Sequence, residues 1–137
     1  MEMVDLLIPD AVVANLKAGS KKQALQELSQ QAATLTGLHE RVIFDVLLQR
    51  EKLGTTGIGR GIAIPHGKMQ ELTKLHGLFA RLPKAIDFDA IDEQPVDLIF
   101  MLLAPVSAGA DHLKALARVS RLLRDENVCA KLRGADD

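Results

Sequence analysis

His66 is the side chain with the clearest capacity for chemistry in this sequence. It follows the apolar run Ile62-Ala63-Ile64-Pro65 within the glycine-rich segment GTTGIGRGIAIPHGK, residues 54–68. An imidazole with an ordinary pKa of about 6.5 is largely neutral near pH 7. One ring nitrogen can then act as a nucleophile while a hydrogen bond fixes the other. Gly54, Gly57, Gly59, Gly61 and Gly67 leave backbone N–H groups uncovered, and such a nest suits a phosphate dianion. The combination points to phosphoryl transfer onto nitrogen. The competing reading is a histidine that satisfies a turn hydrogen bond inside a glycine-rich connection.

Other residues fit one reading or the other. Arg50 lies one turn before the loop and offers a planar, bidentate cation for phosphate oxygens, or else an ordinary surface charge. His112 opens an amphipathic helix just after the strongest apolar run. Strand ends and helix starts gather function in α/β folds, so it is placed to meet His66 across a crevice or to stand solvated. Thr55 and Thr56 carry hydroxyls for phosphate or, by preference, for loop backbone. Lys68 is an anion guide or a solvated charge, and Lys21-Lys22 reads as helix surface. Nucleotide motifs fail. Gly61 and Gly67 are separated by five residues and Lys68 is followed by Met69, so no Walker A loop forms; the third glycine of G-x-G-x-x-G falls on Ile62. The four histidines show no zinc spacing and Cys129 has no cysteine partner, so no metal and no cofactor are expected. Asp87, Asp89, Asp92 and Glu93 read as a turn-rich surface segment rather than a catalytic carboxylate pair.

The elements around these residues are legible in pattern. Ser20-Lys21-Lys22-Gln23 matches a capping box, Leu25, Leu28, Ala32 and Leu35 follow at helical spacing, and Gly37 stops the helix. A second helix begins near His39-Glu40 with Val42, Ile43, Val46 and Leu47 on its apolar face and ends at Gly54. Ile62-Ala63-Ile64 reads as a buried strand whose ladder Pro65 ends. Gly77–Leu82 is a second strand, and Val96–Leu103 (VDLIFMLL) is a central one, apolar on both faces. Asp111–Arg124 is an amphipathic helix with Leu113, Leu116, Ala117 and Leu123 on one stripe, and Asp125–Arg133 a further short helix. The fold class is α/β: a mixed β-sheet sandwiched between helices.

Composition bounds the partners. The chain has 137 residues, with 17 Lys+Arg against 18 Asp+Glu and a net charge of −1, which argues against a nucleic-acid partner. All aromatic residues are Phe, 3% of the chain, so a stacking platform for bases is nearly excluded. A single cysteine permits no intrachain disulfide and suits a reducing compartment. Met1-Glu2-Met3-Val4-Asp5 lacks the pattern of a signal peptide, and the apolar run 98–110 is too short to span a bilayer and holds Pro105. The expectation is a cytoplasmic protein without membrane insertion.

The segment GTTGIGRGIAIPHGK, preceded by Gln49-Arg50-Glu51 and followed by DHLKALARVSRLL, resembles the enzyme IIA domains of fructose/mannitol type in the bacterial phosphoenolpyruvate-dependent phosphotransferase system. The opening LIPDAVVANLKAGSKKQAL and the stand-alone length are most similar to the nitrogen-regulatory branch. The resemblance covers nearly the whole chain and implies one such domain over 1–137. It implies a phosphoryl group on Nε2 of His66, delivered by a histidine-phosphorylated carrier protein. His112 corresponds to the family's second active-site histidine, Arg50 to its arginine that stabilises phosphate, and Thr56, Gly57 and Gly67 to its phosphate-binding loop. Downstream partners would be regulatory protein targets or an enzyme IIB-type acceptor. The alternatives are a sugar-uptake enzyme IIA and a partner-binding module without chemistry. Two departures stand out: Arg60 replaces a small polar residue and adds positive charge, and the chain stops at Gly134-Ala135-Asp136-Asp137 where relatives continue into another helix.

Overall fold

The computed structural model describes residues 12–134 except 14, 74 and 109, and excepting the side chains of 108, 110–112, 115, 128, 131 and 132. Residues 1–11, with the opening segment Met1–Asp5, and 135–137 lie outside the described residues. Strand β1 (Val12–Val13) is followed by helices α1 (Lys21–Thr36) and α2 (Glu40–Lys52). The Ser20 hydroxyl caps α1 by accepting the Gln23 N–H at 3.2 Å, and Gln23 Oε1 accepts the Gly19 N–H at 2.7 Å, one residue before the cap. Gly37, at φ 76°, ends α1 in the left-handed conformation. His39 caps α2 through Nδ1, which accepts the Arg41 N–H at 3.1 Å. The buried stripe of α2 is Ile43, Phe44, Leu47 and Glu51. It is displaced from the expected face, so Phe44 turns inward and Val42 is 43% exposed.

Four strands follow before the sheet is centred: β2 (Gly57–Gly59), β3 (Ile62–Ala63), β4 (His66–Met69) and β5 (His76–Ile86). Strand β6 (Val96–Pro105) lies between β5, antiparallel to it, and β3 and β4, both parallel to it. Strand β1 extends the sheet beyond β5, and β2 pairs antiparallel with β3. Pro65 therefore interrupts the ladder rather than ending it. Ala63 pairs with Ile99, the Leu102 N–H donates to the Pro65 carbonyl at 2.9 Å, and His66 pairs with Leu102. The short HGKM segment forms a strand because β6 offers it a partner, although its own composition signals none.

The pleat of β6 serves two cores. Ile99, Met101 and Leu103 join Leu25, Leu28, Ile43 and Leu47 beneath α1 and α2. Leu98, Phe100 and Leu102 join Ile62, Ile64 and Phe79 on the other face. That second face is covered by α3 (Ala110–Leu123) and α4 (Glu126–Gly134), reached from β6 through a 3-10 turn at Val106–Ala108. The sheet is thus sandwiched between two helical layers, as the sequence suggested. In α3 the inward stripe is Leu116, Val119 and Leu123. Ala117 stands about 100° off it and Leu113 is 67% exposed, so neither belongs to the stripe the spacing predicted. Arg133 fastens α4 to the sheet: its guanidinium grips Asp97 with two bonds of 2.9 Å and donates to the Arg60 carbonyl at 2.9 Å.

Candidate functional site

Register decides where the imidazole points. His66 pairs with Leu102, so it shares the face that α3 covers, whereas Gly67 pairs with Leu103 and faces α2. Gly67 is buried, and a Cβ there would collide with Val46 Cγ1 of α2. The absent side chain lets α2 lie directly on β4. Arg50, one turn beyond Val46, is thereby carried to the rim of the sheet. Its Nε donates to His66 Nε2 at 3.1 Å, and its Nη1 donates to the Gly54 carbonyl at 2.9 Å.

The other ring nitrogen, Nδ1, lies 2.8 Å from the Ile64 carbonyl. A carbonyl only accepts, so Nδ1 carries the hydrogen and Nε2 presents its lone pair. Burial pushes the His66 pKa below its ordinary 6.5, and the Arg50 charge acts in the same direction against the Ile64 carbonyl and Glu51. The site thus holds a neutral ring of defined tautomer, half-buried, with a cation on the nitrogen that bears the lone pair.

The loop beside it is organised by a residue that motif reasoning passed over. Glu51 is 8% exposed and accepts the Thr56 N–H at 3.1 Å, the Thr56 hydroxyl, and Lys21 Nζ at 2.8 Å. Lys21, read as helix surface, instead spans from α1 to this buried carboxylate and sits 4.9 Å from the Phe88 ring centroid. A Glu on the inward stripe of α2 was the available signal. Thr55 takes the backbone role expected of the pair, donating to the Phe88 carbonyl at 2.9 Å and accepting the Gly57 N–H at 3.0 Å. Gly57 also passes so close to Ala90 that a Cβ would lie 2.9 Å from its Cα.

The structure therefore brings Arg50 and His66 together and sets Thr56 and Gly57 behind them, with their N–H groups already bonded to Glu51 and Thr55. His112 lies in the first turn of α3, on the layer that His66 faces, and its side chain is outside the described residues. Arg60 is not part of this site. It adjoins Asp97 and Arg133 near Leu98, roughly 13 Å along β6 from Leu102 at about 3.3 Å per residue. Among the described residues no three His, Cys, Asp or Glu side chains converge as a metal site, and no helix is long and apolar enough to cross a membrane.

Comparison with known proteins bears on the whole chain. The family described as "Phosphoenolpyruvate-dependent sugar phosphotransferase system, EIIA 2" matches residues 5–137. A nitrogen regulatory protein of Bradyrhizobium diazoefficiens is 62% identical over 137 residues, covering 100% of this chain and 90% of the relative. A nitrogen regulatory protein of Escherichia coli is 43% identical over 136 residues, covering 98% and 83%. The crystal structure of nitrogen regulatory protein IIA-Ntr from Neisseria meningitidis superposes with a TM-score of 0.92 at 33% identity, covering 97% of this chain and 91% of that one. The chain belongs to the EIIA 2 family of the phosphoenolpyruvate-dependent sugar phosphotransferase system, in its nitrogen-regulatory branch.

Proposed function

We propose that Nε2 of His66 accepts a phosphoryl group from a histidine-phosphorylated carrier protein, and that the chain carries it as a regulatory signal. The observation that supports this reading is the division of roles on one ring: Nδ1–H held by the Ile64 carbonyl, Nε2 aimed at Arg50. In the transfer the Nε2 lone pair forms the new N–P bond while the bond from phosphorus to the donor's imidazole breaks. The electron pair of that bond returns to the donor nitrogen, and the hydrogen on Nδ1 stays where it is. The moving group carries charge on three oxygens, so positioning and electrostatic stabilisation are the protein's task. Arg50 releases Nε2 and turns its donors to those oxygens, and His112, in the first turn of α3, takes the part of the second active-site histidine. Thr56, Gly57 and Gly67 act in this reading by shaping the loop, since Glu51, Thr55 and the packing of α2 already engage them. The phosphorylated or unphosphorylated face around His66 is what a regulatory target, or an enzyme IIB-type acceptor, would read.

The test is incubation with phosphoenolpyruvate and the general carrier proteins, followed by mass mapping. One phosphate, labile to acid and stable to base, is expected on His66, with none on His66→Ala. Undiminished labelling of His66→Ala would refute the assignment. Efficient onward transfer to a sugar-specific enzyme IIB domain would move the role from regulation to uptake.

A further inference from the structure

We infer that Glu51 is a positioning residue for the phosphoryl acceptor: by capturing the Thr56 amide it reserves the Ile64 carbonyl for His66. The proposal rests on the assignment of His66 as acceptor and extends it to the origin of the tautomer. Ile64 and Thr56 face each other where β2 and β3 run antiparallel. A hydrogen-bonded antiparallel pair ordinarily exchanges two bonds, each residue's N–H donating to the other's carbonyl. Here only one is made: the Ile64 N–H donates to the Thr56 carbonyl at 3.0 Å. The reciprocal donor, the Thr56 N–H, is drawn instead to Glu51 Oε1 at 3.1 Å, and the Thr56 hydroxyl donates to Glu51 Oε2. The Ile64 carbonyl, relieved of its strand partner, accepts from Nδ1 of His66 at 2.8 Å.

The Glu51 carboxylate is suited to this task. It is buried, and every group bonded to it is a donor: the Thr56 amide, the Thr56 hydroxyl and the Lys21 ammonium. Charge-assisted bonds of this kind outcompete a neutral carbonyl for the same N–H. Glu51 never touches the reacting nitrogen. It acts through two intermediaries, which makes its effect one of orientation rather than of charge on the transferred group.

Ring nitrogen chemical shifts of His66, recorded in the unphosphorylated protein above pH 7, read the tautomer directly and need no phosphoryl donor. Glu51→Met removes the acceptor at nearly constant volume, and Glu51→Asp withdraws it by one methylene while keeping charge for Lys21. Either variant, folded by circular dichroism, is expected to shift His66 from the Nδ1–H form to a mixture. Phosphorylation kcat should fall about tenfold with KM for the donor protein unchanged, the mark of lost orientation rather than lost docking. Glu51→Gln retains an acceptor oxygen and is expected to keep the wild-type ring shifts, as is Lys21→Met. If Glu51→Met does not fold, Glu51→Asp decides. Wild-type ring shifts in a folded Glu51→Met or Glu51→Asp, or a shift in Glu51→Gln as large as in Glu51→Met, would overturn the proposal. Failure of wild-type His66 to be phosphorylated would instead overturn the acceptor assignment and leave the tautomer result standing.

Discussion

Replacing Arg50 with Met isolates what the guanidinium adds to transfer. Methionine keeps an unbranched side chain of similar reach and removes both donors and the charge. In the resting site Arg50 Nε already bonds Nε2 at 3.1 Å, and a charge-assisted bond to a neutral acceptor contributes about 2 kcal/mol. That bond must break before Nε2 attacks. Against it stands the attraction between the guanidinium and the phosphoryl oxygens, about 4 kcal/mol for unit charges 4 Å apart in a half-solvated rim. The difference, about 2 kcal/mol, corresponds to a loss of about 30-fold in the rate constant. Single-turnover transfer from the phosphorylated carrier measures it, with His66→Ala as the blank. The same variant should raise the His66 pKa toward its ordinary value, because the Arg50 charge helps hold it down. A folded Arg50→Met that accepts phosphate within threefold of the wild-type rate would refute the electrostatic account.

Four further outcomes follow from the geometry. Because burial first and Arg50 next depress the His66 pKa, the transfer rate should stay on its plateau down through pH 6.5 and fall only at a lower midpoint in a pH–rate profile. The same depression makes the unfolded chain bind protons first as pH drops below 6.5, so native stability should decline over that interval in urea titrations, and less so in His66→Gln. Gly67→Ala, which drives a Cβ into Val46, should cost about 1–3 kcal/mol in chemical denaturation, and Val46→Ala in the same chain should recover part of it. Ser20→Ala, removing the α1 cap, should cost about 1 kcal/mol and leave phosphorylation intact.

Local signals located His66 and Arg50 better than they located the residues that support them. The capping box at Ser20, the stop at Gly37 and the doubly apolar β6 are properties of short windows, and each stands where its pattern placed it. Residue type and position made His66 and Arg50 candidates beside blander readings, the resemblance of the whole segment singled them out, and the structure brings them within 3.1 Å. Lys21 was not, since its partner Glu51 lies thirty positions away and only the packing of α1 on α2 joins them. The inward turn of Phe44 and the outward turn of Leu113 likewise reflect how each helix is rolled on the sheet, which periodicity leaves open by one residue. Strand β4 escaped for a related reason. Its four residues carry no strand composition and owe their conformation to β6.

The break between β3 and β4 neither gains nor loses a residue: from Ala63 to His66 the chain advances three places, and so does its neighbour from Ile99 to Leu102. Counting, as much as chemistry, is therefore under constraint in this stretch. One residue inserted or deleted after Ala63 would swing the imidazole through the sheet into the layer of α2, burying it beside Val46 and turning Met69 out of the core beneath α1 and α2. Length variation among natural relatives should consequently be tolerated in the hairpins and around Asp87–Pro95, and be absent between Ala63 and His66.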